Sequence, residues 1–374
     1  VNKIKAHYAA KAGAQIGLLR VSLYQKALAM VGDDLGENKD ILNTIWQLPL
    51  SWPIKAPDNL NAVDKSNFEK IYTESLMQSK FMLTIESEDS KIDINSLASD
   101  SKAVAGATKK QILQLFQNKI DSDEDFEAEY ANYDFNELVN YITDWIDEDK
   151  DSLNSSADEA SDYDVDNDFI PPNQGFKTIQ ELKMVKEMTS QFFDVLKNNV
   201  TVYGSKTINV NDASKEVLMS IDPQITSDAA DMIIKRRENK DQGGPFTSLD
   251  DLKNHLGGEL IDPDNLNPEN IPLSFNEQHN FRIKSTGEFA NIFKDIEVVT
   301  MDTQAVKNSL ITALDEQDKQ TQGGSSGTSG SSASTTAGST QSGASGTTNA
   351  NNNKNEPKKE IPTGRPTIVY WDEN

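Results

Sequence analysis

The chain contains no cysteine. Disulfides, zinc–thiolate sites and a cysteine nucleophile are therefore excluded. An oxidising compartment is not, because such a space permits disulfides without requiring them. Histidine is nearly as scarce: His7, His255 and His279 are too scattered to suggest a metal-binding trio. No apolar run reaches the roughly 18 residues that a membrane-crossing helix needs. There is no P-loop, dinucleotide fingerprint or nucleophile elbow. Positive charge is also short: 36 Lys and Arg stand against 60 Asp and Glu, a net charge of -24 with a pI near 4.5. A nucleic-acid partner calls for a basic face, so this balance argues against one.

Much of that charge sits in one place. Between positions 121 and 168 there are nineteen acidic residues and a single basic one, Lys150. Like charges this close repel strongly in a low dielectric. The segment is either a solvated acidic loop or the binding site of a hard cation. Ca²⁺ takes six to eight oxygen ligands, and carboxylates at alternate positions supply them. Asp147, Asp149 and Asp151 open such a series; Asp158 and Glu159 follow, then Asp162, Asp164, Asp166 and Asp168. The first three are spaced like the start of an EF-hand loop, but Ser152 stands where that loop has its turn glycine. Asp144, near the end of the preceding helix-like run (135–146), reads equally as a ligand or as a helix-end or turn residue. Trp145 reads as core. A glycosidase-type carboxylate pair, and with it a Ca²⁺-dependent hydrolase, has weak support, because these carboxylates lie among Ser, Asn and Asp rather than in an apolar pocket.

The rest of the chain falls into segments. Residues 6–30 read as one long helix of good helix formers with an apolar stripe at Ile16, Leu19, Leu23 and Leu28. The stripe should bury against the protein's own sheet and against partner helices. Residues 81–86 and 91–94 read as a β-hairpin. Helices are expected over 109–118, 135–146 and 179–196. Asp212 is a candidate N-cap for a helix over 213–221, followed by helices from 227 or 228 to 237 and, capped by Ser248, up to Leu256. This last trio resembles a helix-hairpin-helix or SAM-like module. Nucleic-acid-binding versions use a glycine-rich hairpin whose N–H groups hold phosphate. Here the hairpin, residues 221–226, has no glycine, and Lys235, Arg236 and Arg237 are its only basic cluster. Residues 280–288 and 295–301 alternate like strands, with the turn placed between 287 and 294. A Gly/Ser/Thr/Asn-rich stretch cannot form a core. After it, residues 365–371 turn β-branched and aromatic, as a strand returning to a sheet would be.

Four segments in order, DWIDEDKD (144–151), ADEASDY (157–163), PPNQGFKTIQELKMVKEMT (171–189) and TVYGSKTINVNDASKEVL (201–218), resemble the type II secretion system protein K family. The resemblance runs over residues 6–288 and returns in the last ten. It departs at Ala157-Asp158-Glu159, where the family carries Gly-Ala-Glu. It implies an α+β fold: a pilin-like long N-terminal helix on a small antiparallel sheet, with a large two-part all-helical insertion that includes the helix-hairpin-helix/SAM-like module. The implied divisions are 1–94 (helix and first strands), 95–202 (helical domain with the acidic loop), 203–279 (SAM-like module), 280–317 (further strands), 318–363 (disordered linker) and 364–374 (final strand). The implied role is that of a minor pseudopilin, non-enzymatic, capping the pseudopilus tip and helping to start its assembly. Its partners would be the minor pseudopilins I and J and the major pseudopilin. A membrane span before Val1 would hold it in the bacterial inner membrane, with this part in the periplasm. Ca²⁺ is the implied cofactor, with Asp144 joining the candidate ligands above, and Ile16, Leu19 and Leu23 are the implied partner-binding residues. The competing reading is a competence-like helix-hairpin-helix DNA-binding protein.

Overall fold

The structure is a computed structural model that describes residues 1–54, 61–75, 77–163, 170–257, 262, 266–267, 271–275, 278–307, 311 and 364–374. Its frame is one long helix, α1 (Asn2–Leu35), lying across a five-stranded antiparallel sheet, with two shorter helices, α2 (Thr44–Gln47) and α3 (Ala62–Glu74), following it in the chain. The strands are β1 (Leu50–Trp52), β2 (Lys80–Ser87), β7 (Phe281–Phe289), β8 (Ile292–Thr300) and β9 (Ile368–Glu373), in that spatial order. β2 and β7 are neighbours although about 190 residues separate them: Phe81 faces Gly287 and Ile85 faces Ile283. β9 pairs antiparallel with β8, Trp371 opposite Val298, so the C-terminus closes the sheet edge. The stretch before it, 312–363, lies outside the described residues, as does the expected linker at 318–363.

Helix α1 meets the sheet through small residues. Ala6, Ala9, Ala10, Ala14, Leu18, Val21, Tyr24 and Leu28 are buried against Phe81, Leu83, Ile85, Phe281, Ile283, Ile296 and Val298. The approach is backbone-close at Gly287, where a side chain would overlap the Ala6 carbonyl oxygen and the Ala10 nitrogen. This corrects the expected stripe. Leu28 is buried and Ile16 half-buried, but Leu19 is 57% and Leu23 49% exposed, on the face turned away from the sheet. At the Ala6, Ala10 and Gly287 contact the backbones are too close to admit a larger side chain, while Leu18, Val21, Tyr24 and Leu28 fill the rest of the sheet-facing side, which leaves Leu19 and Leu23 on the opposite face.

The expected hairpin over 81–94 does not form. Phe81–Glu86 belongs to β2, whereas Ile92–Asp93 is a separate strand, β3, paired in parallel with β4 (Val200–Thr201). The turn between them carries Glu88 and Asp89 inward. Asp89 Oδ2 accepts the His279 and Asn280 N–H groups at 2.6 and 3.0 Å, and Glu88 meets Arg282. Those contacts lead the chain away from β2 instead of folding it back. The later hairpin forms, with a tighter turn than expected: Ala290 and Asn291, both at positive φ, join β7 to β8, as two-residue hairpin turns require.

Between β2 and β7 the chain builds a helical unit with its own apolar core. It contains α4 (Lys102–Ser122), α5 (Glu124–Tyr130), α6 (Phe135–Ile146), α7 (Ser190–Leu196), α8 (Lys215–Ile221), α9 (Ser227–Glu238) and α10 (Leu249–Leu256), with β5 (Ile208–Asn209) and β6 (Leu273–Ser274) as a short parallel pair. The core is continuous from Ile92 to Phe275 and crosses position 202 without a break. Phe116 and Phe126 both lie nearly parallel to Phe135, with the Phe116 and Phe135 ring centres 4.3 Å apart, and Phe192 meets all three edge-on. The single helix expected over 179–196 is broken: a 3-10 turn covers Ile179–Met184, Glu187 takes positive φ, and Thr189 caps α7. α8 begins later than expected. Ser214, not Asp212, is its N-cap, because Asp212 is drawn to Gln47 and Gln278.

Candidate metal centre

The site grows from the end of α6. Asp134 caps its start by accepting the Asn136 N–H, and the apolar face of the helix (Leu138, Val139, Ile142, Trp145, Ile146) enters the core. Trp145 lies parallel to Phe176 at 6.3 Å, which fixes the last turn. Asp144 is on that turn and Asp147 is its C-cap. The chain then loops and returns: Glu159 N–H donates to the Lys150 carbonyl at 3.0 Å, and Asp158 caps a 3-10 turn, Glu159–Asp162.

This return brings Asp144, Asp147 and Glu159 together, with one carboxylate oxygen from each within 4.8 Å of the others. Asp144 and Glu159 are only 1% and 2% exposed. Asp147 Oδ1 and Glu159 Oε1 are buried and have no hydrogen-bond partner. Asp144 accepts the Leu153 N–H at 3.2 Å, and Asn173 Nδ2 donates to Glu159 Oε2 at 3.2 Å. Burial, reinforced by the neighbouring carboxylates, pushes Asp144 and Asp147 up to about 6 and Glu159 up to about 7. No Lys or Arg pairs with these three among the described residues. A cluster of acids this buried, with unused oxygens facing one another, has the donor set of a hard-cation site.

The remaining candidates are placed differently. Asp149 stands close enough for its charge to raise all three carboxyls, but its Oδ1 accepts the Asp151 N–H at 2.9 Å. Asp151 and Asp158 are exposed and bridge through their backbones, and Asp158 uses Oδ1 on the Ala160 N–H. Asp162 pairs with Lys186 at 2.8 Å and accepts from Ser152 Oγ at 3.0 Å. Asp164 and Asp166 lie outside the described residues. Asn173 was not expected at the site. It is held at positive φ and binds both the Asp149 carbonyl and Glu159, so it ties the two halves of the loop. A Pro-Pro-Asn run signals a turn but not its destination.

The hairpin at the start of α9 offers a phosphate little. Asp222 is buried and accepts the Gln224 and Asn267 N–H groups at 2.7 Å each. The Ile225 and Thr226 N–H groups donate to the Asp222 and Gln224 carbonyls. Arg236 pairs with Asp251 at 2.6 Å, and Arg237 donates to the Val210 carbonyl at 2.7 Å. The turn's amides and two of the three basic side chains are thus used within the fold, Lys235 alone of the cluster being exposed, and a carboxylate occupies the turn.

Among the described residues no helix is long and apolar enough to cross a membrane. Comparison with curated proteins finds no match. Among solved structures, the GspK-GspI-GspJ complex from the enterotoxigenic Escherichia coli Type 2 Secretion System aligns at 17% identity and a TM-score of 0.47, covering 61% of this chain and 77% of that one. Two family models, both described as type II secretion system (T2SS), protein K, match in chain order, one over residues 90–205 and the other over 208–273. Successive models of one family thus match the helical unit and the carboxylate site within it, and over residues 90–205 and 208–273 the chain is similar to the type II secretion system protein K family.

Proposed function

We propose that this chain is a minor pseudopilin that caps the tip of the type II pseudopilus and helps start its assembly with the minor pseudopilins I and J. The observation that carries the reading is the outer face of α1. Ile4, Tyr8, Leu19, Leu23 and Met30 are all at least 49% exposed, spaced along one side of a helix whose other side is used up by the sheet. Large apolar side chains at helical spacing with nothing over them are what a neighbouring helix would cover. The helical unit emerges from the β2 and β7 strands, and its bulk suits an end position better than an interior one. In this reading the chain is held in the bacterial inner membrane by a segment preceding Val1, with the part described here in the periplasm, and it catalyses no reaction.

The reading includes a structural Ca²⁺. Asp144, Asp147 and Glu159 would hold it, with the charge of Asp149 near enough to be felt by all three, and the orphaned Asp147 and Glu159 oxygens support the fit. The ion would supply the positive charge that the cluster lacks and would link the end of α6 to the 3-10 turn. Mg²⁺ suits the site less, since it prefers a small octahedral shell that keeps several waters.

Co-purification with proteins I and J tests the tip role. Leu19→Asp and Leu23→Asp should abolish it while leaving the melting temperature within a few degrees of wild type, because both residues are exposed. Retained co-purification in a double variant would sink the reading.

A further inference from the structure

A cleft of about 740 Å³ opens on the helical unit, between the end of α4, α5, α7 and α8. It shares no residue with the carboxylate site and lies off α1. Its floor is apolar: Leu115 and Phe126 are buried, and Val195 and Met219 are half-buried. Its rim is acidic, formed by Asp123, Asp125, Glu129, Asp194 and Glu216. Two lysines also line it, but their charge is already spent. Lys119 pairs with Asp123 at 2.5 Å and Lys215 with Asp231 at 2.7 Å. Lys197 takes Asp194 at 2.7 Å. Asp125, Glu129 and Glu216 are left exposed, with no cationic partner among the described residues.

An apolar floor under unneutralised carboxylates selects its occupant by charge. Nucleic acid and anionic lipid are repelled. A second copy of this chain, at a net charge of -24, brings the wrong sign. A cleft of this volume is within the range that holds a ligand-sized group. We infer that it docks a protein segment in which lysine or arginine alternates with apolar side chains, the cations meeting Asp125, Glu129 and Glu216 and the apolar groups reaching Phe126, Val195 and Met219. Complementary charge would mainly steer the encounter, and burial on the floor would hold the complex. The inference does not depend on the pseudopilin reading, since it concerns a separate face.

Fluorescence anisotropy with two short synthetic peptides of equal charge, one alternating Lys with Leu and one alternating Lys with Ser, tests it on the whole chain. The Lys/Leu peptide should bind, and the Lys/Ser peptide should bind at least about tenfold more weakly, as loss of apolar burial predicts. The triple variant Asp125→Asn, Glu129→Gln, Glu216→Gln alters only exposed side chains, so it should keep its melting temperature while losing about tenfold in affinity for the Lys/Leu peptide. Equal binding of the two peptides, or unchanged binding by the triple variant, would show attraction to the acidic chain as a whole and overturn the proposal. Displacement of the Lys/Leu peptide by equimolar spermidine would overturn it too, by assigning the cleft to a polyamine.

Discussion

Glu88 and Arg282 form a buried two-pronged ion pair: Nε to Oε1 is 2.6 Å and Nη2 to Oε2 is 3.2 Å. Glu88 stands in the turn after β2, where the chain leaves the sheet for the helical unit, and Arg282 is on β7, where it comes back. Lys91 at 3.0 Å and Thr201 also donate to Glu88, and Arg282 in turn reaches Glu297 and lies over the Tyr203 ring. The apolar cores of the sheet and of the helical unit are separate clusters. Polar contacts of this kind therefore anchor one to the other, and ion-pair geometry fixes direction more sharply than apolar contact does.

The pair gives stability a defined acid limb. Burial alone would raise the Glu88 carboxyl, but Arg282, Lys91 and Thr201 outweigh it and hold the group at about 2, below its ordinary 4.5. A depressed carboxyl contributes fully above the unfolded-state value and loses that contribution as pH falls through the folded one. The contribution is on the order of 3 kcal/mol at neutral pH. Glu88→Gln should cost about that much at pH 7, and the gap from wild type should close between pH 4.5 and 2. Urea melts across that range measure it. A gap independent of pH would place the cost in packing instead.

Gly287→Ala should loosen α1 from the sheet. The new methyl group would meet helix backbone, which cannot rotate aside. A cost of about 1–3 kcal/mol is expected, read as a drop in melting temperature, with exposure of the Tyr24, Trp46 and Phe281 cluster showing in tryptophan fluorescence. Wild-type stability in this variant would mean that the helix sits further from β7.

Ca²⁺ added to chelator-treated protein should raise its melting temperature. An ion at a hundredfold its Kd adds about 2.7 kcal/mol when only the folded state binds it. Asp147→Asn should remove most of that rise, Asp149→Ala should blunt it, and Asp158→Asn should leave it, since Asp158 is occupied with a backbone N–H. Calorimetry without binding heat at millimolar Ca²⁺ would leave a buried, partly protonated acid cluster as the better account.

Removing residues 365–374 should destabilise the sheet. Trp371 packs against the apolar cluster under α1, Glu373 lies 3.6 Å from His7, and Tyr370 meets Tyr203 at 5.9 Å. The truncation also bares the β8 edge, which invites association. A lower melting temperature and concentration-dependent aggregation are expected. An unchanged melt and a monomeric truncated chain would show β9 to be dispensable.

What could be read from the residues was local. The β-branched and aromatic run ending at Trp371 announced a strand, and the helix-like run over 135–146 announced α6, because such signals act over a few neighbours. The crowding of carboxylates after α6 announced a cation candidate, since repulsion is visible in composition alone. What the residues could not show was which partner each group would find. Leu19 and Ala10 both lie on α1, and only the approach of Gly287 decides that the alanine face is inside. Glu88 and Asp89 look like turn residues until Arg282 and the His279 N–H, nearly two hundred positions away, draw them inward and cancel the expected hairpin. Asp147, Glu159 and Asn173 converge because the loop after α6 folds back on itself, while Asp158 and Asp162, equally acidic, are taken by a backbone cap and by Lys186. Charge and periodicity belong to the chain; the pairing of distant groups belongs to the packed fold, because a polar atom taken out of water must be matched by whatever the packing brings beside it.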